Sequence, residues 1–155
     1  MSGKIEARLT ELGIDLPRAS APVANYVPYT ISGKLVVVSG QVSVRDGKAE
    51  FIGKLGSGVT IADGQQAAKL CALNILAHLK NACDGDLDRV KRVLRLGGFV
   101  NCAPDFTDMP QVVNGASDLM VQVFGDAGKH ARAAVGVASL PLGVAVEVEA
   151  MFELA

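Results

Sequence analysis

The chain has 155 residues, half of them hydrophobic and a fifth charged, with fifteen Lys or Arg against sixteen Asp or Glu for a net charge of −1. That length suits one domain with a real core, and the near-neutral balance supplies no field to gather nucleic acid or an anionic membrane surface. No apolar run approaches the roughly 20 residues of a membrane-spanning helix. Met1 to Glu6 alternate in charge without an apolar leader, and the three cysteines, Cys71, Cys83 and Cys102, form no metal-ligand spacing, so a cytoplasmic protein with reduced thiols is expected.

In chain order, Ile5, Leu9 and Leu12 recur at helical spacing and Gly13 follows, which predicts a short opening helix that reads as an appendage. Pro17 and Pro22 mark a linker, so residues 1–24 separate from a main domain over residues 25–155. Tyr26 to Ile31 and Lys34 to Ser39 flank Ser32-Gly33 and predict a hairpin, which Val42 to Val44 continue. The glycine-rich stretch Gly53 to Gly58 is followed by Val59 and not by the Lys-Ser/Thr of a phosphate loop, so a flexible surface loop is expected.

Thr60 and Asp63 suggest a capped helix start, and Ala68, Cys71, Ile75, Leu79 and Ala82 carry that helix from about 61 to 83. Its His78 has no second ligand at helical spacing and is expected to be satisfied or solvated. Val90 to Val100 reads as a strand with a bulge at Gly97-Gly98, and its Arg89, Lys91, Arg92 and Arg95 as a solvated basic face. Asp108 as N-cap and Pro110 in the first turn start a second long helix that ends near Gly125 to Gly128. Ala131 to Ala138 and Val144 to Leu154 then read as strand, turn, strand. The order lacks a regular βαβ alternation, so an α+β fold is expected, with two helices on one sheet face and the other face covered by identical subunits.

Arg132 interrupts an otherwise small and apolar strand. Such an arginine needs a partner, either Glu147 or Glu149 across the sheet or the carboxylate of a small ligand held by the guanidinium fork. Glu147 and Glu149 leave the same strand face, and a carboxylate beside an apolar cleft can orient or deprotonate water. Neither His78 nor His130 has a nucleophile in a recognisable motif, so no serine–histidine–acid triad is located.

Pro28-Tyr29, then Leu35 through Gln41 with Ser39-Gly40, then Asn114, then Arg132 with Val135 through Pro141, and finally Val146 through Ala150 resemble the RidA family, also called YjgF or L-PSP. The match in order and spacing runs over about residues 25–153. The resemblance implies a chorismate-mutase-like α+β fold, with a mixed sheet, two long helices on one face, and a homotrimer with clefts between subunits. It implies hydrolysis of enamine/imine intermediates such as 2-aminoacrylate to 2-keto acids and ammonia, with no metal or organic cofactor. Arg132 would clamp the substrate carboxylate and Glu147 would position the attacking water, while Tyr29, the Gly40 backbone, Asn114 and Ala134 would shape the pocket. Non-catalytic binding of a small carboxylate or keto acid is the alternative, and endoribonuclease or translation-inhibitor activity a third reading that the charge and scarce aromatics oppose. Many deaminase members carry a cysteine where this chain has Ala134, and the opening helix, the 53–58 loop and the Pro104–Pro110 connection are additions to the compact pattern.

Overall fold

The alternating segments form strands and the 3.6-period segments form helices, as a computed structural model describes for residues 3–21 and 25–155. The chain opens with α1 (Lys4–Glu11), β1 (Tyr29–Ser32) and β2 (Leu35–Val42). Two small ladders follow, β3 (Val44–Arg45) with β4 (Lys48–Ala49) and β5 (Lys54–Leu55) with β6 (Gly58–Val59). The remaining elements are α2 (Ile61–Ala82), β7 (Val90–Asn101), α3 (Met109–Phe124), β8 (Ala131–Val137) and β9 (Val146–Leu154). Among the described residues, no helix is long and apolar enough to cross a membrane.

The main sheet has the order β1-β2-β9-β7-β8, so β9, the last strand in sequence, lies at its centre. β9 alternates without a break between buried and half-buried residues: Val146, Val148, Ala150, Phe152 and Leu154 face the helices, and Glu147, Glu149, Met151 and Glu153 face away. This is the α+β arrangement with both long helices on one face. The expected pairing of the last two strands does not occur. β8 runs parallel to β7 at the sheet edge, and β9 pairs antiparallel with β7 and β2, because the short turn at residues 141–143 carries the chain across β7 rather than back along β8.

Local chemistry explains the helix positions. Thr60 caps α2 by accepting from the Asp63 amide at 3.1 Å, whereas Asp108 precedes α3 without a side-chain cap, and Pro110 in the first turn needs none for its own nitrogen. The two helices touch where Gly115 of α3 meets Gln65 of α2, so closely that a Cβ at Gly115 would lie 2.0 Å from the Gln65 carbonyl oxygen. The bulge expected at Gly97-Gly98 is displaced: the register is regular there and shifts between Val90 and Arg92 and between Val93 and Arg95. The two glycines serve packing instead, since a Cβ on Gly98 would strike Val113 of α3 and one on Gly97 would strike Glu149 on the opposite face.

The opening helix joins the same core rather than standing apart. Leu9 is buried and Ile5, Leu12, Ile14 and Leu16 pack against the core cluster. Gly3, at its N-cap, has no side chain to offer, and Asp88 supplies the cap from across the fold, accepting from the Lys4 and Ile5 amides at 2.9 Å each. The 53–58 stretch is likewise anchored and not a loose surface loop: Leu55 is fully buried and the Lys54 ammonium donates to Asn101 Oδ1 at 2.7 Å and to the Ala138 carbonyl. Of the linker that Pro17 and Pro22 mark, residues 22–24 lie outside the described residues.

Candidate functional site

The register decides where Arg132 points. It lies beside Leu96 of β7, which lies beside Ala150 of β9, and both of these are buried under the helices. Residues aligned across a sheet share a face, so Arg132 leaves the edge strand on the helix side, where α3 passes overhead. Asn114 and Ser117 are three apart on α3 and therefore share a helix face. Arg132 Nη1 donates to Asn114 Oδ1 at 2.8 Å and to Ser117 Oγ at 3.2 Å, which uses both of its hydrogens. The side-on edge of the guanidinium, Nε with Nη2, has no partner among the described residues, and Arg132 is exposed.

The ion pair with Glu147 or Glu149 that the sequence suggests is therefore absent. Glu149 Oε1 lies 3.4 Å from Arg95 Nη1 on the other sheet face, and no described carboxylate reaches Arg132. Ser117 instead extends the contact in another direction. Its Oγ is 2.9 Å from His130 Nε2, and His130 Nδ1 is 2.6 Å from the Gly128 carbonyl oxygen. A carbonyl only accepts, so Nδ1 carries the proton and donates to Gly128, and in the neutral ring Nε2 is left to accept the Ser117 hydroxyl proton. No motif announces this pair. The available signal is parity, because residues two apart on an extended chain point the same way, and His130 precedes Arg132 by two.

The other predicted residues gather at a different place. Gly40 sits in the irregularity between Val38 and Gln41 of β2, and a Cβ there would come within 3.1 Å of the Glu147 carboxyl carbon. Tyr29 begins β1, half-buried against the core, in a corner tied by Ser39 Oγ donating to the Val27 carbonyl at 2.7 Å and the Ser39 amide donating to Pro28 at 2.8 Å. Burial pushes the Glu147 carboxyl above the usual glutamate range, and the charge of Glu149 on the same face adds to the effect. A cleft of about 750 Å³ borders Gly40 and Gln41 and reaches Asn74 and His78 of α2. His78 is buried there with Nε2 3.4 Å from Ser20 Oγ, and its burial lowers its pKa, in keeping with a satisfied histidine.

Arg132 and Glu147 do not meet within one chain. Glu147 aligns with Phe99 and then with Val135, three residues beyond Arg132 and on the opposite face. At ~4.8 Å per strand and ~3.3 Å per residue, their Cα atoms stand about 14 Å apart with a sheet between the side chains.

A family model described as "YjgF/chorismate_mutase-like, putative endoribonuclease" matches residues 6–154. The chain belongs to the YjgF family. Protein TCP17 of Trypanosoma cruzi is 52% identical over 154 residues, spanning 99% of this chain and 96% of that one. The solved structure of Atu1372 from Agrobacterium tumefaciens, whose function is described as unknown, superposes with a TM-score of 0.91 at 51% identity, covering 97% of this chain and 92% of its own. A structure from Shewanella oneidensis MR-1, with the same qualified endoribonuclease label as the family model, superposes at 0.93 with 38% identity over 98% of this chain and all of its own.

In this YjgF-family chain Ala134 lies on the helix face two residues beyond Arg132, half-buried and aligned with Gly98. A methyl group therefore forms the floor beside the guanidinium. No group of three or more His, Cys, Asp or Glu residues capable of holding a metal ion occurs among the described residues.

Proposed function

We propose that this protein is an enamine/imine deaminase that hydrolyses reactive 2-aminoacrylate-type intermediates to 2-keto acids and ammonia. The observation that carries the reading is the free side-on edge of Arg132, held outward by Asn114 and Ser117 and unclaimed by any described carboxylate. A planar fork of that kind binds a small carboxylate bidentately and fixes the imine carbon beside it. Glu147, with its pKa raised by burial, exchanges a proton with water more readily near neutral pH than an ordinary glutamate. In the reaction the water oxygen bonds to the imine carbon while nitrogen takes up the electron pair, and the resulting carbinolamine expels ammonia as its C–N bond breaks.

Arg132 and Glu147 occupy opposite faces of one sheet, so the reading requires copies to combine. A homotrimer with clefts between subunits brings the Arg132 edge of one copy to the Tyr29, Gly40 and Glu147 corner of the next. The half-buried Val37, Phe99 and Met151 and the exposed Val135, all on the face away from the helices, suit such an assembly. The small carboxylate metabolite is then the only ligand needed, in a cytoplasmic setting and without a cofactor.

Adding the protein to a serine or threonine dehydratase reaction should accelerate keto-acid release, and Arg132→Ala should abolish the effect. An absence of acceleration by the wild type refutes the deaminase reading. Ala134 in place of a thiol favours a second reading, binding of a keto acid without turnover, which a thermal shift with pyruvate but no acceleration would support. The endoribonuclease reading would gain only from RNA cleavage that survives Arg132→Ala and high salt.

A further inference from the structure

A guanidinium can meet a carboxylate end-on, through Nη1 and Nη2, or side-on, through Nε and Nη2, and a long side chain left untethered samples both. In this chain both Nη1 hydrogens are taken, by Asn114 Oδ1 at 2.8 Å and Ser117 Oγ at 3.2 Å, so the end-on approach is closed. Keeping it closed depends on the Ser117 hydroxyl, a free rotor whose proton, turned towards Arg132, would repel Nη1–H. His130 removes that freedom. Its Nδ1–H donates to the Gly128 carbonyl 2.6 Å away, so Nε2, 2.9 Å from Ser117 Oγ, accepts the hydroxyl proton and leaves an oxygen lone pair for Nη1. The carbonyl that orients the ring is itself fixed. Gly128 is buried, and a Cβ on it would lie 2.2 Å from the Met120 carbonyl oxygen, so the turn at residues 125–128 sits directly on α3. Met120 follows Ser117 by one turn of α3, and the imidazole is thus braced at both nitrogens against the same helix.

We propose that His130 is the positioning residue of the Arg132 clamp: through the Ser117 hydroxyl it holds the guanidinium in one orientation, which offers a carboxylate the side-on edge alone. This rests on the reading of Arg132 as a carboxylate clamp. Neither Ser117 nor His130 touches the ligand, which lies on the far side of the guanidinium from Nη1, and His130 acts only through Ser117. An arginine without the tether has to be ordered by each ligand it binds, and ordering one long side chain weakens binding about two- to tenfold. Here the ordering is complete before the ligand arrives. A single docking edge also fixes the direction in which the atoms attached to the carboxylate face.

Two measurements on the full chain test this, pyruvate affinity by titration calorimetry and the guanidinium nitrogen signals of Arg132 by NMR, assigned by their loss in Arg132→Lys. Ser117→Thr keeps the hydroxyl, and Ser117→Val has nearly the shape of that variant without it, so their difference isolates the hydroxyl from packing. His130→Asn keeps a donor near the place of Nδ1 and removes the acceptor at Nε2. Ser117→Val and His130→Asn are each expected to weaken pyruvate binding about two- to tenfold, while Ser117→Thr stays within about twofold of wild type. The double variant S117V/H130N is expected to lose no more than Ser117→Val alone, because both changes act on one hydroxyl. Distinct Nη1 and Nη2 signals in the wild type are expected to merge in Ser117→Val, as rotation about the Cζ–Nη1 bond is released. Unchanged affinity in Ser117→Val, equal losses in the Thr and Val variants, or losses that add in the double variant overturn the proposal. Wild-type protein that fails to bind pyruvate refutes the clamp reading instead, and the Arg132 signals then decide by themselves whether the tether exists. Should His130→Asn fail to fold, His130→Phe, which keeps a ring and lacks both nitrogens, takes its place.

Discussion

Replacing Arg132 by lysine keeps the charge and removes the fork, and the site geometry sets the size of the effect. Arg132 has five N–H donors, of which two are spent on Asn114 and Ser117, leaving three on Nε and Nη2, two of them aligned along the side-on edge. A lysine ammonium has three in all. If it satisfies the same two neighbours, one donor remains, and a carboxylate that accepted two charge-assisted bonds accepts one. Such a bond is worth about 1.5–3 kcal/mol, and 1.4 kcal/mol is tenfold in affinity, so Arg132→Lys should weaken keto-acid binding roughly 10- to 150-fold. Titration calorimetry with pyruvate measures this directly. Because Arg132 is exposed, the melting temperature should not change. Binding within threefold of wild type would mean that a point charge suffices and that the free edge of the guanidinium is not what holds the ligand.

Gly115→Ala should cost at least 1–3 kcal/mol in urea unfolding, about the cost of overpacking, because its Cβ would meet the Gln65 carbonyl at 2.0 Å and neither backbone can swing aside; an unchanged midpoint contradicts the close helix contact. Glu147→Gln should stabilise the protein at neutral pH. A carboxyl raised on folding contributes stability that is full below the ordinary value of 4.5 and is lost as pH rises through its folded pKa, so the gain should vanish in melts near pH 4; an equal gain at both pH values would refute the burial argument. Asp88→Ala should release the start of α1, at a cost of up to about 1 kcal/mol for an exposed cap, seen as faster hydrogen exchange of the first-turn amides. The backbone N–H groups of Ile5 and Lys4 lower the Asp88 pKa, so this stabilisation should be present above the ordinary value of 3.8 and fade as pH falls through the folded value.

Features governed by neighbours in sequence were legible before the fold. The Thr60 cap, the span of α2, the alternation of β9 and the shared face of Glu147 and Glu149 all follow from local spacing, and each stands in the structure. Strand order is different in kind. Nothing near Arg132 in the chain says that β8 lies beside β7 rather than β9, and that pairing removes Glu147 and Glu149 as its partners and turns it towards α3. The same limit hid Ser117 and His130, thirteen residues apart and joined only once α3 crosses the sheet edge. Gly97-Gly98 misled for a related reason. Glycine in a strand signals either a bulge or a close neighbour, and the neighbours here, Glu149 and Val113, come from distant segments.

β8 is an edge strand hydrogen-bonded to the sheet on one side only, and apart from Arg132 its residues are Ala, Val and Gly. Strands of that composition, left bare, recruit other strands indiscriminately, and proteins usually blunt them with charge or cover. Arg132 is the one charge β8 carries, so the group proposed as the ligand clamp is also the strand's sole gatekeeper against sticking. Arg132 variants should therefore be judged by their solubility as well as by their affinity, and a subunit that covers this edge would protect the chain and enclose its guanidinium at a single stroke.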